Sequence, residues 1–170
     1  MHFLHSFVRL IDSFTDISGR LLAWLGLFMA LLTATIVLLR YGFNMGSITS
    51  QEAVIYMHGC LFMLGAAYAL KSGSHVRVDI FYQHMSERSK AWVNSLGGII
   101  FLIPLCLFIC GSSWNYVLQS WAIRETSPEP GGIPAVFLLK TLLPVMAINL
   151  FLQGIAETVR STLVLVEGDA

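Results

Sequence analysis

Charge is the scarcest ingredient of this chain. Ten Lys and Arg and ten Asp and Glu make up 12% of its 170 residues, whereas a soluble domain carries about 25%. A water-facing surface cannot be built from so little. Neither sign is in excess: the formal net charge is +0 and the pI is near 7.0, so the basic stripe that nucleic acid requires is missing. Nucleic acid is therefore excluded as a partner. Cysteine is scarce too. Cys60, Cys106 and Cys110 sit singly inside apolar runs with no C-x-x-C pair, which leaves neither a disulfide framework nor a metal site and makes them small hydrophobes.

Long apolar runs are what the chain has in abundance. With 56% hydrophobic residues and a mean hydropathy of +0.73, it belongs to the class that uses a bilayer as solvent. The reading is an all-α membrane protein: four transmembrane helices in two hairpins, preceded by an interfacial amphipathic helix, in a single membrane domain over residues 1–170.

Residues 1–19 predict that amphipathic helix. Phe3, Phe7, Leu10, Ile11, Phe14 and Ile17 recur at spacings of three and four, with His5, Arg9, Asp12, Ser13 and Asp16 on the other side. Such a pattern fits a helix lying in the headgroup layer better than a cleaved leader. Asp16 and Arg20, four apart with the acid first, are in the favourable helical order.

Span 1 covers 21–40, span 2 covers 52–70, and each carries close to the roughly 20 apolar residues needed to cross about 30 Å. Gly26 and Ala30 lie on a face of small residues in span 1, where another helix can come close. We therefore expect a subunit interface there. Glu52 opens span 2 and could pair with Arg40 across the short loop. His58 is the one histidine inside any span, so it is an intramembrane polar group whose default use is a hydrogen bond to a neighbouring helix.

Between the two hairpins lies a hinge, 71–90, carrying the most compact charged patch, His75, Arg77 and Asp79. These residues fix topology rather than bind a ligand. Span 3 follows over 92–116 with an extension to 123. Trp92 and Trp114 are about 33 Å apart along a helix, the separation of two interfacial aromatic belts, and Pro104 between them predicts a bend. A Pro- and Gly-rich loop, 124–134, leads to span 4 at 135–160 and a tail, 161–170. On span 4, Asn149, Gln153, Glu157 and Arg160 recur at four, four and three. That makes a polar stripe suited to interhelical hydrogen bonding, so Asn149 and Gln153 join the expected subunit interface.

Lysine and arginine set the orientation. Arg9, Arg20, Lys71, Arg77, Arg88, Lys90 and Arg160 lie on the side of the termini and hinge, against Arg40, Arg124 and Lys140 on the other. The termini are therefore expected in the cytoplasm.

Arg40-Tyr41 followed by Phe43-Asn44, Glu52 opening span 2, the H-V-R-V-D string at 75–79, L-K-x-L-L-P at 139–144 and Leu152-Gln153-Gly154 together resemble the small, four-helix integral membrane subunit of tripartite ATP-independent periplasmic (TRAP) transporters. The likeness covers roughly Arg20 to Arg160. It implies a scaffold that assembles with a large elevator-type permease subunit, sodium drive, a periplasmic substrate-binding protein docking on the complex, and a place in the bacterial inner membrane. The stretch Tyr68 to Tyr82 and Met85-Ser86-x-Arg88 are similar to a branch some of whose members handle 2-oxo acids or lactate, so the implied cargo is an organic acid. It implies no catalytic, cofactor, metal or substrate-binding residue in this chain, whose only other contact is membrane lipid. Of the other classes, a haem-bearing or quinone-linked anchor of a respiratory oxidoreductase would need a second facing axial ligand. A self-contained efflux pump would need a carboxylate inside an early span.

Overall fold

The computed structural model describes residues 2–74 and 82–167, all helical or connecting. His75, Arg77 and Asp79 lie outside the described residues. The helices are α1 (His2–Phe43), α2 (Ile48–Lys71), α3 (Glu87–Gly97), a five-residue π-turn (Gly98–Leu102), α4 (Ile103–Ala122) and α5 (Val136–Glu167). With α3, the π-turn and α4 running on as one rod, four rods are long and apolar enough to cross a membrane.

α1 is one 42-residue helix, about 63 Å long. Only Arg20 separates the amphipathic segment from span 1, and arginine is a good helix former. The segment does not lie flat. Its Val8 and Ile11 are buried against Ala156 of α5, with Phe7, Leu152 and Val159 packed around them. Leu10, Phe14 and Ile17 face outward and are exposed, while Asp12 and Asp16 are half-buried toward the other helices.

The remaining helix ends follow their local chemistry. Ser47 caps α2 by accepting from the Ser50 N–H at 3.2 Å, and Ser86 caps α3 by accepting from the Ser89 N–H at 3.3 Å. Pro104 lacks an N–H and crowds the carbonyl four residues back. The chain relieves this with the π-turn just before it, in which the Ile103 N–H bonds the Gly98 carbonyl, five residues back. The expected bend thus takes the form of a π-bulge.

α5 is the central rod. It packs on α1 and α2 along one flank and on α3, the π-turn and α4 along the other, while α1 and α2 also pack on each other. Among the described residues the two flanks have no substantial contact with each other. The array is therefore open, and few residues of any rod are buried. Small residues let the rods approach. Gly19 lies against the Tyr68 ring and Gly98 against the Thr158 hydroxyl, and a Cβ on Gly154 would stand 2.7 Å from Leu102.

Candidate functional site

Polar side chains gather in two layers, one at each end of the array. At the end carrying the termini, Asp12 of α1 receives Arg160 of α5 at 2.6 Å and the Gln153 Nε2 at 3.1 Å. The Gln153 Oε1 accepts from the Thr15 hydroxyl at 2.8 Å. Lys71, the last residue of α2, pairs with Asp16 at 2.5 Å and donates to the Asp12 carbonyl at 3.0 Å. Arg160 also holds Glu157, one turn back. Three rods are tied by this knot.

At the other end, Glu52 organises the loop before α5. Its carboxylate accepts from the Ser127 hydroxyl and from the Ile133 N–H at 2.5 Å, while Thr49 donates to the Gly131 carbonyl at 2.5 Å. Glu125 pairs with Lys140 at 2.5 Å and accepts from the Ser120 hydroxyl at 2.7 Å. Lys140 sits 4.1 Å above the Tyr116 ring. From Glu52 to Lys71 along α2 is about 28 Å, and from Lys140 to Glu157 along α5 is about 26 Å. Both separations are close to the thickness of the hydrocarbon core.

The hydrogen bonds from Lys140 and then Ser120 hold the Glu125 carboxyl below its ordinary value of 4.5. A carboxyl depressed on folding contributes stability that is present above the ordinary value and is lost as pH falls through the lower, folded one. The Val136 N–H bonds the Glu125 carbonyl at 3.1 Å and reports this attachment. Once corrected for intrinsic pH dependence, its hydrogen exchange should be constant above about pH 5 and should accelerate below the ordinary carboxylate range. A flat profile down to about pH 3 would show that the pair does not hold the loop.

The residues singled out from sequence fall into distinct places. Gln153 is 0% exposed and its amide is used within the chain, so its partner is α1 and not a second subunit. Gly26 faces Leu61 of α2, which a Cβ would approach at 3.6 Å; it too serves an internal contact. Ala30 is exposed, and Asn149 is half-buried. Asn149 shares no side-chain hydrogen bond among the described residues. His58 is exposed on α2, its ring stacked on Phe62 with centroids 6.3 Å apart and planes 19° apart. Glu52 takes Ser127 and Ile133 in place of Arg40, and Asp16 takes Lys71 in place of Arg20.

Asp12, Thr15, Lys71, Glu125 and Ser127 were not singled out from sequence. A signal existed for one of them: Asp12, one turn before Asp16 on α1, mirrors Glu157 and Arg160 on α5. No group of three or more His, Cys, Asp or Glu able to hold a metal ion occurs among the described residues.

An open array of four membrane-spanning rods, with polar groups that tie rods together and anchor a loop, defines a multi-pass membrane protein. The family described as the DctQ component of tripartite ATP-independent periplasmic transporters matches residues 15–163, and the chain belongs to that family. The family is a transporter component and not an enzyme. The chain is similar to a protein of Vibrio cholerae named C4-dicarboxylate TRAP transporter small permease protein DctQ, 27% identical over 135 residues, 76% of this chain and 58% of that protein. It is also similar to a Haemophilus influenzae protein named putative TRAP transporter small permease protein, 31% identical over 105 residues, 62% of this chain and 65% of that protein. The matches thus span less than two thirds of either relative's length. No solved structure matches the chain. The haem- or quinone-linked anchor finds no support beside this membership.

Proposed function

We propose that the chain is the fixed scaffold subunit of a TRAP transporter, assembled with a large permease subunit that moves an organic acid, driven by sodium and supplied by a periplasmic substrate-binding protein. It lies in the bacterial inner membrane with both termini cytoplasmic, the side favoured by seven Lys and Arg against three. One observation carries the reading. The charges of the terminal knot pair with one another, and in the middle of the membrane no carboxylate faces a cavity among the described residues, which therefore offer no group with which to couple an ion. What it offers instead is an open array whose outer surface holds polar groups in awkward places. His58 lies on the outside of α2, about 9 Å from Glu52 toward the membrane centre, where an imidazole facing hydrocarbon is costly. We assign the surface around Ala30 and His58, with the amide of Asn149, to the contact with the large subunit. The hinge residues His75, Arg77 and Asp79 remain proposed topology determinants.

Co-expression with a large TRAP permease subunit of the same organism tests this. A tag on this chain should recover both subunits in equal amounts in mild detergent, and neither should transport alone. Uptake of an organic acid into liposomes holding this chain by itself would overturn the proposal.

A further inference from the structure

On the outer flank of α3 and α5, at the end carrying the termini, runs a trough of about 520 Å³ lined by Arg88, Trp92, Ser95, Leu96, Ile99, Thr162, Leu165 and Val166. Its chemistry is ordered along the helix. Along α3 and into the π-turn, Arg88 stands at the outer mouth, Trp92 one turn further in, then Ser95, Leu96 and Ile99, while α5 adds Leu165, Val166 and Thr162, whose hydroxyl donates to the Val159 carbonyl at 2.8 Å. Arg88 to Ile99 covers about 16 Å, a distance suited to a headgroup layer and the first stretch of hydrocarbon. Trp92, about half exposed, is the residue type that favours that layer.

A second observation points to an occupant. Ser95 is only 3% exposed, and its hydroxyl has no hydrogen-bond partner among the described residues. A serine inside a helix can bond the carbonyl a turn back, and leaving a buried hydroxyl unpaired costs free energy. Ser95 is among the side chains that line the trough.

We propose that the trough binds one anionic phospholipid. Its phosphate lies on the Arg88 guanidinium and the Trp92 indole N–H, an ester carbonyl accepts from Ser95, and an acyl chain runs along Leu96, Ile99 and Leu165. Arg88 also takes part in another interaction, and a guanidinium's five donors suffice for more than one partner. Charge complementarity selects the anionic lipid, and the polar-to-apolar order along α3 sets its direction. This site does not depend on the scaffold reading, because it needs only this chain in a bilayer.

The test is tryptophan quenching in the full chain, reconstituted in phosphatidylcholine bilayers containing a minor fraction of brominated phosphatidylglycerol or, separately, brominated phosphatidylcholine. Phosphatidylglycerol should be preferred about fivefold, the effect of one cation near an anionic lipid. Trp92→Phe should remove the preferential part of the signal, Arg88→Gln should abolish the preference, and Arg88→Lys should keep most of it. Ser95→Ala, which removes no charge and is not expected to unfold α3, should weaken quenching by both lipids. Equal quenching by the two lipids in the unaltered chain would overturn the proposal, as would displacement by soluble glycerol phosphate, which would mark a simple anion site. Loss of all Trp92 quenching on assembly with the large subunit would show that protein fills the trough, and would overturn it too.

Discussion

Gln153→Leu is expected to destabilise the protein by about 2 to 3 kcal/mol, the cost of leaving buried polar groups without partners. Gln153 is fully buried and joins Thr15 to Asp12. A leucine of similar size fills the space but accepts nothing from the Thr15 hydroxyl and gives nothing to the carboxylate. Asp12 then keeps Arg160 alone. In water such a loss would be partly repaired by solvent; inside the array it is not. Asn149→Leu, one turn away on the same helix, removes no bond within the chain and should cost under about 1 kcal/mol. Denaturant titration of both variants in one detergent checks the contrast. Equal losses would mean that the knot contributes nothing special.

Glu52→Ala should release the loop before α5. Its carboxylate holds the Ser127 hydroxyl and the Ile133 N–H at once, and charge-assisted hydrogen bonds are roughly twice as strong as neutral ones. A net loss of about 2 kcal/mol corresponds to a thirtyfold rise in the open population. Limited proteolysis between Arg124 and Pro134 should accelerate by about that factor, with the helices intact by circular dichroism. Glu52→Gln, which still accepts one hydrogen bond, should fall between. No acceleration in Glu52→Ala would show that Thr49 and the Glu125–Lys140 pair suffice to hold the loop.

Much of the fold was legible because membrane spans are a one-dimensional signal. Four apolar runs of the right length gave four rods, and the Pro104 bend was visible as local chemistry. The continuity of α1 was less visible. The amphipathic pattern of residues 1–19 told correctly that two faces differ, but which face turns inward depends on Arg160 and Lys71, far away in the chain. The same limit applies to Gln153. Its spacing with Asn149 and Glu157 announced a polar stripe meeting protein, yet the protein it meets is α1, 138 positions earlier. Glu52 was assigned to Arg40 because charges are what a sequence displays. Its actual partners are a hydroxyl and a backbone N–H, and the latter leaves no mark in a residue string.

The outer face of the array carries the central claim, and oxygen accessibility of a nitroxide label reads it directly. Labels at Ala30→Cys and His58→Cys, with Phe101→Cys on the opposite flank as reference, should all be freely accessible to oxygen when this chain is alone in a bilayer. On assembly with the large permease subunit, accessibility at positions 30 and 58 should fall several-fold while position 101 stays unchanged. Full accessibility at both 30 and 58 in the assembled transporter would contradict the account.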